Sequence, residues 1–261
     1  MNMTIKNVSD YIEKIAPLNQ SEDFDNVGLL IGNEMTEVKG VLVTLDTLEE
    51  TVDEAIRKNC NLIVSFHPII FDGLKKINGN SYVEKVVLKA IQNNIAIYAT
   101  HTALDNSNVG VSAKMCEVLG LKNYNILIPK EDENIGMGMI GDLPEPMQEE
   151  DFLKFTKKTF KTNGIRFSSK IGKSVKKIAV LGGSGSFAIS NAIQKKADVY
   201  ISADFKYHDF FKAEGKILLI DVGHYESEQF TKNLLVEYLT KKFTSFAIIL
   251  SEKSTNPIYY L

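Results

Sequence analysis

Apolar positions change period along this chain, and each change marks an element. Over residues 4–16 the apolar side chains Ile5, Val8, Tyr11, Ile12 and Ile15 recur at helical spacing, and Pro17 closes the segment. Short apolar runs at 29–32, 38–45, 62–66 and 95–100 read as strands. Between them the pattern is helical at 49–58 and 82–92, with Thr47 as N-cap and Glu50 three residues on as in a capping box. A helix over 110–119 stops at Gly120. The second half repeats the alternation. Strands are expected at 135–143, 176–181, 199–203, 217–220 and 245–250, and helices at 148–160, 187–197, from Asp204, and from Gln229 to about 242. Such alternation predicts an α/β protein with mostly parallel sheets and helices on their faces.

The stretch that organises the rest is Ile217-Leu218-Leu219-Ile220-Asp221-Val222-Gly223-His224-Tyr225-Glu226-Ser227-Glu228. A buried strand ends in a turn, then gives a His and, four residues later, a Glu. On a helix these two lie on one face, roughly 5–6 Å apart at Cβ, which suits a shared metal ion. The same order occurs at Ile95-Ala96-Ile97-Tyr98-Ala99-Thr100-His101, with Asp105 four residues after the His. The match predicts a duplication: two pseudo-repeated, intertwined α/β lobes, 1–125 and 126–261, with 217–261 packing back on the first.

All four histidines, His67, His101, His208 and His224, fall just past a predicted strand, the edge where open α/β sheets bind ligands. His208 reads as an ordinary loop residue. For His67, His101 and His224, the shared position and nearby carboxylates point to a metal cluster. Imidazole and carboxylate without thiolate suit Zn, Mn, Fe or Co, and ions about 3.5–4 Å apart activate water for hydrolysis.

Charge and cysteine content narrow the picture. The chain has 261 residues, 44% of them hydrophobic, enough for one large or two smaller cores. Its net charge of −3 gives no reason to expect nucleic acid as a partner, and Arg57 and Arg166 are its only arginines. Cys60 and Cys116 sit in no metal-binding spacing and read as packing thiols of a reducing compartment. With no leader-like or spanning apolar stretch, a cytoplasmic protein is expected.

Three further features carry two readings each. Gly182-Gly183-Ser184-Gly185 follows a strand, either cradling an anion or making a tight turn that needs small residues. Asp25 and Asn26 cap a turn or line a cleft. Asp46 supports a ligand from behind or stands as a charge at a helix N-terminus. Glu226 is expected in solvent.

Taken in order, five motifs resemble one family. They are Asp23-Phe24-Asp25-Asn26-Val27-Gly28-Leu29, Val43-Thr44-Leu45-Asp46, Ser65-Phe66-His67-Pro68, His101-Thr102-Ala103-Leu104-Asp105 and Gly223-His224-Tyr225-Glu226-Ser227-Glu228. The family is that of the dinuclear-metal-centre hexameric proteins, also called GTP cyclohydrolase 1 type 2 homologues or Nif-three-like proteins. The resemblance spans nearly the whole chain and corresponds to the short form, without an inserted domain. It implies metal ligands at His67, Asp105, His224 and Glu228, with Glu228 bridging, in a cleft between the lobes. It places His101 nearby, to move a proton. It further implies a toroidal homohexamer and a metal-dependent hydrolase whose metal-held hydroxide opens the imidazole ring of GTP. The alternative is a non-catalytic metal-binding or scaffold toroid.

Two positions depart from the family pattern: Phe24 stands where Trp is usual, and the second departure touches the ligands. Phe66 stands where the first histidine of a His-His-Pro motif is usual. Phenylalanine cannot ligate. One ion, two ions with His101 or water compensating, or loss of hydrolysis are the outcomes open, and fewer than two ions per subunit is expected.

Overall fold

The computed structural model describes residues 3–261. In chain order the helices are α1 Ile5–Ile12, α2 Glu49–Arg57, α3 Tyr82–Gln92, α4 His101–Asp105, α5 Val111–Leu119, α6 Glu149–Thr159, α7 Ile189–Gln194, α8 His224–Glu228 and α9 Thr231–Thr240. The strands are β1 Gly28–Ile31, β2 Gly40–Thr44, β3 Leu62–Ser65, β4 Ala96–Ala99, β5 Lys122–Pro129, β6 Gly136–Gln148, β7 Arg166–Phe167, β8 Ser174–Ser184, β9 Val199–Ala203, β10 Leu218–Asp221 and β11 Ala247–Leu250. They form two mixed sheets in two compact units. The first unit runs to Leu104 and takes in Thr231–Pro257; the second comprises Asp105–Phe230 and Ile258–Leu261.

The first unit has sheet order β1-β4-β3-β2-β11, parallel except for the β1–β4 pair. Every residue of β2, β3 and β4 is buried, because helices cover both faces. Leu42, Ile63 and Ile97 pack under Val52 and Ala55 of α2 and Val86, Val87 and Ala90 of α3. The alternate positions turn to the opposite face. There the Tyr98 hydroxyl reaches Glu13 just past α1 (3.3 Å), and Tyr11 stacks on Tyr238 of α9 at 4.4 Å.

The second unit has order β5-β6-β8-β9-β10-β7, with β8, β9 and β10 parallel. Alternation along β8 splits its core in two. Ile178 and Val180 pack with α5 and α6 through Met115, Cys116, Phe152 and Leu153. Ala179 and Leu181 pack with Ile189 and Ala192 of α7.

The units repeat one topology. In each, three consecutive parallel strands (β2-β3-β4, then β8-β9-β10) are preceded in the chain by a strand that pairs antiparallel with the third. The chain between the units does not divide at 125/126. The division falls at Leu104/Asp105, because α5 packs against β6 and β8 of the second sheet. Residues 217–230 remain with the second unit, and 231–257 return to the first.

Local differences have simple causes. Leu48, not Thr47, is the N-cap of α2; Thr47 lies one residue too early and is buried, and the Thr51 hydroxyl accepts from the Leu48 N–H instead (3.3 Å). Strand β5 was not expected, since its first half, Lys122 to Asn125, is largely polar and only Ile126 and Leu127 are buried in it. The helix expected at 187–197 begins as a 3-10 turn, Ser186–Ala188, and the one expected after Asp204 is 3-10 throughout, Tyr207–Ala213. Among the described residues, no helix is long and apolar enough to cross a membrane.

Candidate functional site

The C-terminal ends of the parallel strands deliver the chemistry in both units. In the first, Asp46 follows β2, His67 follows β3 and His101 follows β4 as the first residue of α4. In the second, Asp204 follows β9 and His224 follows β10 as the first residue of α8. Asp105 and Glu228 are the last residues of α4 and α8, each four positions after its histidine. The chain bends sharply to make these turns. His101 has φ +24° and Asp204 φ +58°. Non-glycine residues held there cost about 1–3 kcal/mol each and cluster at functional sites.

The histidines share one device. Among the described residues, which include all four, three have Nδ1 against an aspartate: His67 on Asp46 Oδ1, His101 on Asp25 Oδ1 and His224 on Asp204 Oδ2, each at 2.7 Å. An imidazole that donates from Nδ1 presents a lone pair on Nε2. This fixes the tautomer and orients the ring, as aspartates do behind metal-bound histidines. His208 differs: it is exposed, and its ring packs on Tyr207 and Phe211.

Each aspartate is itself held. Asp46 Oδ2 accepts from the Thr255 hydroxyl at 2.5 Å. Asp25 accepts from the Thr102 N–H (3.0 Å), the Thr102 hydroxyl (2.5 Å) and the Asn26 N–H (2.8 Å). Burial pushes the Asp25 carboxyl up, but the bonds from His101 and Thr102 outweigh it and bring it down to about 2. Asp25 therefore both caps its turn and anchors His101. The Ser184 hydroxyl bonds Asp204, whose carboxyl is lowered chiefly by His224.

His224 Nε2 lies 3.2 Å from Glu228 Oε2, and Glu228 is 3% exposed. Burial presses the His224 imidazolium down; Asp204 and Glu228 overcome that and carry it up to about 11. Between two carboxylates His224 is held as the imidazolium, with Nε2 donating to Glu228, and a divalent ion would take the place of that Nε2 proton.

The glycine stretch seats this pair. A Cβ on Gly183 (φ +68°) would collide with Glu228 Oε1 and come 3.3 Å from His224 Cε1. A Cβ on Gly185 would collide with the Ser202 hydroxyl. The Gly183 N–H donates to Ser227 (2.9 Å) and the Gly185 N–H to the Ala203 carbonyl (3.4 Å). Both point inward rather than toward an anion, so the need for small residues explains the motif.

Glu226 is not solvated as expected but buried, 5% exposed, because α8 turns it beneath Gly223, leaving no room for a Cβ there. Phe66 is fully buried. Its ring lies 4.9 Å from the His67 ring and 5.6 Å, edge-on, from His101.

The roles of Asp204, Asp25 and Thr255 were not legible from local motifs. A signal did exist for Asp204. Asp46 precedes His67 by 21 residues and Asp204 precedes His224 by 20. That is one helix and one parallel strand, so the carboxylate closing one strand meets the histidine closing the next.

Fold and donors together define a duplicated α/β protein with aspartate-supported histidines and a His/Glu pair able to take a metal ion. The chain belongs to the Duf34/NIF3 (NGG1p interacting factor 3) family, whose profile matches residues 3–257. A Clostridium acetobutylicum protein named GTP cyclohydrolase 1 type 2 homolog is 34% identical over 233 residues, 87% of this chain and 86% of that one. The crystal structure of a Staphylococcus aureus hypothetical protein superposes with TM-score 0.94 at 30% identity, covering 100% of both chains. That of a Bacillus cereus protein related to NIF3 gives 0.93 at 26% identity, covering 100% of this chain and 99% of its own.

Proposed function

We propose that this protein binds divalent metal through His67, Asp105, His224 and Glu228 and works as a metal-dependent hydrolase. The observation that carries the reading is the aspartate behind each of His67, His101 and His224. A carboxylate behind the ring is what fixes the tautomer and orientation of metal-bound histidines. The donors fit Zn, Mn, Fe or Co, and the bare Gly183 leaves the His224–Glu228 pair the space it occupies. A bound divalent ion would supply water activated at neutral pH. Glu228 would bridge a second ion where one is present. His101, its Nδ1 fixed by Asp25, keeps Nε2 as the atom that accepts or returns a proton.

The relatives' name brings GTP ring opening to this chain as the substrate reading. The family resemblance brings a homohexameric ring, for which light scattering is the direct test. The buried free thiols Cys60 and Cys116 suit a cytoplasmic setting.

A second reading, a metal-binding toroid without turnover, is favoured by one observation: buried Phe66 occupies a position where the family pattern has a ligand. Elemental analysis of protein purified without chelator, followed by turnover assays on nucleotides and phosphoesters, separates the two. Bound metal with hydrolysis lost in His224→Ala and His101→Ala supports the hydrolase. Bound metal without turnover on any substrate supports the toroid, and no metal in wild type overturns both.

A further inference from the structure

Two large apolar side chains stand in water beside His101. Phe24 is 67% exposed and Phe71 is 47% exposed. Their ring centroids are 6.4 Å apart with planes tilted 48°, and Phe71 meets the His101 ring edge-on at 6.2 Å.

Exposed aromatics are unremarkable on loose loops, but this loop is tied on every side. The residue after Phe24 is Asp25, with its bonds to His101, Thr102 and Asn26. The next, Asn26, donates from Nδ2 to the carbonyl of Ile70 at 2.6 Å, directly before Phe71. The Glu22 N–H is bound to the Thr102 hydroxyl at 3.0 Å. The bonds that orient His101 thus also anchor the backbone beside Phe24, and the separate Asn26–Ile70 bond ties the two aromatic segments to each other. Folding fixes two apolar faces in solvent at the edge of a polar site. Such a pre-ordered exposed patch marks a binding surface.

We propose that Phe24 and Phe71 form a stacking platform for a planar heteroaromatic ring, of the size of a nucleobase, carried by the substrate. A tilt of 48° at 6.4 Å excludes a parallel sandwich. A ligand ring flat on one phenyl face meets the other tilted by 48°, between the offset-stacked and edge-on contacts that aromatic quadrupoles favour. Phenyl faces carry no charge and accept any π-system, so the platform selects for ring shape and leaves chemical selection to the polar groups around it. Naming the ring as part of the substrate rests on the hydrolase reading. Binding at the platform does not, since every residue in it belongs to the first unit and none is a proposed metal ligand.

The test is calorimetric titration of the full chain with adenosine and guanosine monophosphate, and with ribose 5-phosphate as a ringless control. It is run on metal-loaded and on chelator-treated protein, for wild type, Phe24→Ala, Phe71→Ala and Phe24→Trp. Circular dichroism confirms folding, which substitution at such exposed positions leaves intact. Both nucleotides are expected to bind at least about tenfold more tightly than ribose 5-phosphate. Each alanine variant should weaken nucleotide binding by about 5- to 150-fold, the effect of removing one stacking partner, and leave ribose 5-phosphate unchanged. Phe24→Trp should match or exceed wild type. Equal affinity for nucleotides and the control overturns the proposal, as does unchanged nucleotide affinity in Phe24→Ala. So does a change in oligomeric state in Phe24→Ala with nucleotide affinity unaltered, which would make the patch a contact between copies. Ring-dependent binding by a wild type that holds no metal would sustain the platform and remove the hydrolase reading.

Discussion

Replacing Phe66 by histidine tests the metal reading where the chain departs from the family pattern at a ligand position. The ring is fully buried at the end of β3, within 4.9 Å of His67 and 5.6 Å of His101. Without added metal, Phe66→His should destabilise the protein. Losing the burial of a phenyl costs about 1.5–3 kcal/mol. An imidazole buried without a full set of partners adds about 1–3 kcal/mol. With divalent metal, position 66 gains a ligand beside His67, and binding offsets part of that cost. An ion present at 100 times its dissociation constant returns about 2.7 kcal/mol. The assay pairs elemental analysis with urea denaturation of both proteins, each with chelator and with added Zn or Mn. Wild type should hold fewer than two ions per chain, and the variant should gain close to one. The variant's denaturation midpoint should fall below wild type in chelator and recover with metal. Two tightly held ions in wild type, or identical metal content in the two proteins, would refute the reasoning: some other group would already complete the second site, or position 66 would not face it.

Three other outcomes follow from the same geometry. Asp204→Ala removes the anchor on His224 Nδ1 and should weaken metal binding about 10- to 100-fold in a competition assay with a chelating dye; unchanged affinity would show that the ring needs no support. Gly183→Ala forces φ +68° on an L-residue, at about 1–2 kcal/mol, and drives a methyl into Glu228, so both stability and metal affinity should drop, while loss of neither would mean Glu228 is free to move aside. Asp25 titrates near 2 in the folded protein against 3.8 otherwise, with no side-chain surface exposed; its stabilisation of about 2 kcal/mol is complete above pH 3.8 and is lost as pH falls toward 2, so Asp25→Asn should flatten the acid limb of a stability–pH profile, and an unaltered limb would count against the His101–Asp25 pairing.

Local pattern determined much of this protein. Central strands buried on both faces are continuous apolar runs, so β2, β3, β4, β9 and β10 were legible within a residue or two. So was the placement of His67, His101 and His224 just beyond them, since a strand's end is a local event. The repeated His-x-x-x-carboxylate order showed the duplication, and the two units do share one strand topology. The half-polar edge strand β5, and the 3-10 turns after Gly185 and Lys206, were not legible because their periodicity is weak.

Tertiary structure alone decided which groups meet. Asp46 reaches His67, Asp204 reaches His224 and Asp25 reaches His101 across 21, 20 and 76 residues, and Thr255 reaches Asp46 across 209. It also decided that Gly183 seats Glu228, that Glu226 turns inward, and that α5 sides with the second sheet. The physical reason is the range of each force. Hydrophobic periodicity acts between neighbours in sequence and is written there, whereas a hydrogen bond to a side chain depends on a distance that only strand pairing and packing establish.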